Sequence, residues 1–113
     1  MRVCRERKVL DMLGMARRAG ELLVGQDKVL PARQGAEKLA VFVTDDGSAN
    51  VSRHIEAAAQ RGTAEIFLLE GTGRGELGAS LGITATQTAA LPVKSGFVKK
   101  IYTLTCDRSD ANE

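Results

Sequence analysis

The sequence predicts an α/β domain in which a central sheet carries helices on both sides. Two apolar runs of strand length, Leu39–Val43 and Ala64–Leu69, read as interior strands, the first covered on both faces. Elsewhere apolar residues recur at helical spacing between glycines, so helices and strands alternate along the chain. A length of 113 residues fits one domain, and a chain of this size buries roughly two-thirds of its unfolded surface. The core must be mostly aliphatic, because there is no Trp, one Tyr and three Phe.

Residues 1–7 are charged and lack apolar periodicity, which predicts a flexible basic arm or linker. Val9, Met12, Leu13, Ala16 and Ala19 then share one face of a helix over Lys8–Ala19. Arg18 lies opposite that face and Arg17 flanks it, so neither belongs in the core. Gly20 is placed to end the helix. A short strand at Glu21–Val24 and a turn at Gly25 lead to a second helix over Gln26–Gln34, which stops at Gly35. Pro31 must sit in the first turn of that helix or distort it, since it has no N–H to donate.

The strand Leu39–Val43 ends at Thr44–Gly47, and Ser48 or Asn50 caps a third helix with Val51, Ile55, Ala58 and Gly62 on one face. After the strand Ala64–Leu69 come a loop at Gly71–Gly75 and a short helix, Glu76–Leu81, stopped by Gly82. Thr86–Leu91 reads as the last strand. Ser95 caps a closing helix in which Phe97, Ile101 and Leu104 share a face. Residues 106–113 are polar and are expected to be a disordered tail, leaving 8–105 as the folded domain.

Charge is unevenly spread. Residues 1–38 carry nine Lys/Arg against five Asp/Glu, whereas residues 39–113 carry seven against nine. A basic N-terminal third on a nearly neutral body points to one anion-facing surface. No apolar run approaches the roughly 20 residues that cross a bilayer, and no signal-peptide pattern opens the chain. Cys4 and Cys106 are far apart in sequence and read as free thiols of a reducing cytosol, with a terminal disulfide between them as the alternative. A cytoplasmic, monomeric protein is expected.

Gly73-Arg-Gly75-Glu-Leu-Gly78 is a literal G-x-G-x-x-G between a strand and a helix. A dinucleotide fingerprint also needs an acidic residue about 20 positions on, and no Asp or Glu lies between Leu77 and Thr105. The better reading is a loop plus a glycine that lets the helix pack closely. Asp45 and Asp46 stand at a strand's C-terminal end, where two carboxylates could hold Mg²⁺, but adjacent side chains diverge and no third ligand is evident. Turn and capping roles fit them better. No catalytic partner is evident for His54, and no serine sits in a G-x-S-x-G elbow. A noncatalytic protein without metal or cofactor is expected.

The turn at Gly25 is where polar chemistry concentrates. A strand end, a glycine and a helix N-terminus offer free N–H groups and positive dipole character. There the chain places an amide, a carboxylate and an ammonium in Gln26, Asp27 and Lys28, with Arg17 and Arg18 upstream and Arg33 downstream. Amides and carboxylates read base edges and arginine or lysine holds phosphates. An ordinary connection with solvated polar residues is the alternative.

Four motifs, Leu13-Gly-Met-Ala-Arg-Arg-Ala-Gly20, Gly25-Gln-Asp-Lys-Val29, the run Leu39–Val43 and Glu76-Leu-Gly-Ala-Ser-Leu-Gly82, occur in an order that resembles the L-seven-Ae ribosomal protein family. The likeness runs from about Val9 to Tyr102 and is greatest to the small bacterial branch, which is also found fused behind a second nucleic-acid-binding domain. It implies a three-layer α/β/α sandwich with a mixed four-stranded sheet. It also implies binding of kinked RNA helices, usually kink-turns, in translation, without catalysis or cofactor. By the same resemblance Gln26 and Asp27 match the family's amide–carboxylate pair, although the residue that separates that pair from the glycine is absent here. Ile83, Thr84 and Ala85 match its apolar loop, which cushions a flipped-out base. Two other readings stand beside this one: a protein-binding adaptor on the same fold, and a nucleotide-using enzyme supported only by Gly73–Gly78.

Overall fold

Both apolar runs form the centre of the sheet. The computed structural model describes residues 2–25, 28–29, 38–46 and 49–107, with backbone alone at 49–52, 54 and 107. Its elements are β1 (Arg2–Cys4), α1 (Lys8–Arg18), β2 (Leu23–Val24), β3 (Leu39–Thr44), α2 (Ala49–Gln60), β4 (Ala64–Leu69), α3 (Arg74–Leu81), β5 (Thr88–Pro92), α4 (Gly96–Tyr102) and β6 (Thr105–Asp107). The strands lie in the order β2-β5-β3-β4-β1-β6. β3 and β4 pair in parallel over their whole length, from Leu39↔Ala64 to Thr44↔Leu69. β1 adds to β4 in parallel, while β5, β2 and β6 join as antiparallel strands, so the sheet is mixed.

Alternation along β3 sends Ala40 and Phe42 to one side and Leu39 and Val41 to the other. On the first side they meet Leu13 and Ala16 of α1, Leu77 and Leu81 of α3, and Val98 and Ile101 of α4. On the second they meet Val29 and, from α2, Ile55 and Ala58. This is the predicted helix–sheet–helix arrangement. Phe42, Phe67 and Tyr102 stack through the first side, with ring centroids 4.8 and 5.4 Å apart, and Arg2 lies 4.6 Å over the Tyr102 ring.

Among the described residues six strands, rather than the four implied by the family resemblance, make the sheet. The two additional strands correct the domain limits: Arg2–Cys4 is not a flexible arm, and the folded domain continues past 105 to β6. Each is three residues long, too short to show a period among charged neighbours. Their stability comes from pairing, because β1 covers the open edge of β4 and buries Val3 and Cys4, and β6 covers β1. The expected second helix over Gln26–Gln34 with Pro31, the cap at Ser48 and the tail at 108–113 lie outside the described residues. Lys28 and Val29 alone of that helix are described, and both are helical.

Register also settles the cysteines. Val3 faces Cys106 and Cys4 faces Thr105, so Cys4 and Cys106 occupy neighbouring rows on opposite faces of the β1–β6 pair. They are free thiols, one buried and one exposed. Burial pushes the Cys4 thiol up to about 12. A thiol reagent at pH 8 is therefore expected to titrate one cysteine in the native protein and two after unfolding. Modification of both in the native protein would contradict this packing.

Candidate functional site

Gly25 closes β2 with φ +87°, a backbone setting that glycine adopts at little cost. Its amide donates to the Thr88 carbonyl at 3.0 Å, which ties the turn to the start of β5. Its carbonyl accepts from the amides of Lys28 and Val29 at 3.1 and 3.0 Å, the pattern of a first helical turn. Val29 is buried and Lys28 exposed, so the ammonium faces solvent beside the turn. Gln26, Asp27 and Arg33 lie outside the described residues.

The loop expected to form the second part of the site arrives at the same place. α3 ends at Gly82, whose φ of +79° makes a left-handed cap. Ile83 then donates to the Gly78 carbonyl at 2.9 Å, turning the chain back along its own helix. A Cβ on Gly78 would stand 2.5 Å from the Ala85 Cα and 2.7 Å from its N. Only glycine lets the returning loop lie this close to α3. Thr84 and Ala85 are exposed, Ile83 half-buried, and Thr86 donates to the Arg74 carbonyl before β5 begins. The structure therefore brings Ile83, Thr84 and Ala85 into the connection that ends at the partner of Gly25.

Arg17 and Arg18 are placed differently. β1 and β2 run parallel, so α1 descends between them and ends at the opposite end of β2 from Gly25. There Gly14, Arg17 and Arg18 face Ala79–Gly82 across an open trough of about 530 Å³. Gly14 sets the closeness of the two helices, since a Cβ on it would be 2.8 Å from the Ser80 carbonyl oxygen. Arg17 donates to the Leu81 carbonyl and so closes the end of α3. Arg18 is exposed and makes no ion pair among the described residues. Gly25 with Lys28 and the two arginines thus form two groups joined by the loop 82–88, one at each end of it.

The sequence pointed to turn and capping roles for Asp45 and Asp46 but not to the helix end served, which is the α3 N-terminus. Arg74 donates its amide to Asp46 Oδ1 and Oδ2 at 3.0 and 3.2 Å, and Gly73 donates to Glu76 Oε1 at 3.3 Å. Asp45 Oδ2 accepts from the Gly71 amide at 2.9 Å. The chain's own carboxylates thus occupy the donors of the G-x-G-x-x-G stretch, in the turn and capping roles expected of Asp45 and Asp46. The Arg74 amide, as the main influence, holds the Asp46 carboxyl below its usual range.

That shift has a pH consequence. A carboxyl depressed in the folded state adds stability above its unfolded value, near pH 4, and loses it as pH falls through the folded one. Asp46→Asn is expected to lower the melting temperature at pH 7, with the gap from wild type narrowing below about pH 4. Melting curves across that range check it, and a gap that stays constant would contradict the capping role.

No protein-family model matches the chain, and no curated protein does. Solved structures do. A protein with unknown function from Bacillus halodurans superposes with a TM-score of 0.76 at 24% identity, covering 88% of this chain and 97% of that one. The Giardia lamblia 15.5kD RNA binding protein superposes with a TM-score of 0.68 at 13% identity, covering 86% and 81%. At these identities the likeness establishes a shared α/β fold. No helix among the described residues is long and apolar enough to cross a membrane.

Proposed function

We propose that this chain is a noncatalytic RNA-binding protein of the cytoplasmic translation apparatus that recognises kinked RNA. One observation carries the reading above all. The Gly25 turn and the Ile83–Ala85 loop, each singled out in the sequence for RNA contact, join through the Gly25–Thr88 hydrogen bond. The fold shared with an RNA-binding protein supports the same reading.

In this account phosphates are held by cations and structure is read at the turn. Lys28 serves one end of the loop, and Arg18, with the remaining donors of Arg17, serves the other. Gln26 and Asp27 take base edges, for which an amide and a carboxylate are suited and a phosphate is not. Thr84 and Ala85 offer a small uncharged surface to an extruded base. Crosslinking in cells followed by sequencing of the bound RNA tests the assignment. Recovery of a defined set of sharply bent RNA segments is expected, and recovery of protein partners without RNA would favour the adaptor reading instead.

A further inference from the structure

A second contact region lies at the end of the sheet away from Gly25. β5 runs down from Thr88 to Pro92, and Ser95 then caps α4 by accepting from the Phe97 amide at 3.2 Å. The Ser95 hydroxyl donates to Glu21 Oε1 at 3.1 Å, pinning α4 beside the residues that follow α1. Between them opens a cleft of about 270 Å³ lined by Glu21, Gly96, Phe97 and Lys100.

Its occupants are chemically unusual for this chain. The other three aromatics, Phe42, Phe67 and Tyr102, stack on one another. Phe97 packs on the same core without joining that ring stack, and is half-buried with part of its surface in the cleft. Lys100 is exposed and lines the cleft with it, and its own segment, between Leu77 and Thr105, holds no carboxylate, the acid of the lining being Glu21. Nothing lies within 4 Å of a Cβ built on Gly96, so the approach over the helix start is open. An aromatic surface beside unpaired cations is how proteins hold single-stranded nucleic acid, with bases stacked and the backbone neutralised.

We infer that this cleft takes an unpaired nucleotide of a single-stranded extension of the bound RNA, its base against Phe97 and its phosphate near Lys100. Glu21, with one oxygen engaged by Ser95, has a second oxygen to accept from a base amino group. Arg17 and Arg18 line the trough, and Glu21, which follows them in the chain, lines the cleft, so α1 and the turn after it connect the two. This inference rests on the RNA-binding reading and extends it to RNA with an unpaired flank.

The test compares two RNAs, a bent hairpin alone and the same hairpin with a five-nucleotide single-stranded tail carrying 2-aminopurine. Wild type is expected to bind the tailed RNA more tightly, roughly five- to hundredfold, the span of one base stacked on an aromatic ring. Tail fluorescence should be quenched on binding. Phe97→Leu should remove the advantage and the quenching while leaving the untailed affinity unchanged. Lys100→Gln, at an exposed position, should lower the salt slope for the tailed RNA by about one and leave the untailed slope alone. Equal wild-type affinity for both RNAs overturns the inference, as does an unchanged slope in Lys100→Gln or equal losses on both RNAs in Phe97→Leu. Failure of wild type to bind either RNA would instead overturn the RNA-binding reading itself.

Discussion

Gly78→Ala is expected to destabilise the protein by about 2–3 kcal/mol, with a fall in melting temperature of roughly 10–15 °C. The added methyl would meet the Ala85 Cα at 2.5 Å, the Ala85 N at 2.7 Å and the Thr84 C at 2.9 Å. All three are backbone atoms, so no side chain can rotate away and either α3 or the loop must move. Moving the loop also breaks the Ile83–Gly78 hydrogen bond and displaces Thr84 and Ala85, so RNA affinity should fall with stability. Gly75, one turn earlier in the same helix, has nothing within 4 Å of a built Cβ. Gly75→Ala should therefore stabilise the protein by roughly 0.5–1 kcal/mol through helix propensity alone. Thermal or urea unfolding of the two variants gives opposite signs if this packing is right. Two effects of the same sign would show that α3 and its loop do not pack as described.

Thr84→Glu is expected to have the largest effect on binding without an effect on folding. Thr84 is exposed at the loop's turn, and a carboxylate there would face the phosphates and the extruded base. Like charges brought together across an interface cost several kcal/mol, so a loss of about hundredfold or more in affinity for kinked RNA should result. Melting curves should overlay those of wild type. Gln26→Ala with Asp27→Ala should act more selectively, lowering affinity for kinked RNA several-fold to about hundredfold and sparing plain duplex. Titrations against both RNAs separate the two behaviours. Wild-type affinity in Thr84→Glu would exclude the Ile83–Ala85 loop from the interface.

The legible parts of this structure are those in which one local rule dominates. Leu39–Val43 is a continuous apolar run and Ala64–Leu69 one interrupted only by Glu65, and both are strands, the second with its predicted limits. Gly20 and Gly82 were readable as helix stops because a chain leaving a helix often needs a left-handed residue, and both have positive φ. Non-local pairing was not legible. β1 and β6 exist because each covers an edge supplied from elsewhere in the chain, and three-residue segments carry no period that could announce them. β5 begins at Thr88 rather than Thr86 for a related reason, since the loop first has to pass Gly78 and bond to Arg74.

The candidate site was readable to the same degree. Gly25 could be found from residue type and order and Ile83–Ala85 through the family resemblance, but only the β2–β5 pairing brings them together. Arg17 and Arg18 stand just upstream of Gly25 in sequence, whereas the parallel course of β1 and β2 puts them at the far end of β2, and Arg17 is partly committed to the α3 C-terminus. Asp46 at the α3 N-terminus depends on two loops meeting, a fact held by neither segment alone.

Recognition of kinked RNA is tested by equilibrium titration of the wild-type chain with a kinked RNA and with a plain duplex of equal length, repeated at several salt concentrations. At least several-fold preference for the kinked RNA is expected, together with an affinity for both that falls steeply as salt rises. Absence of binding to either RNA at low salt would contradict it.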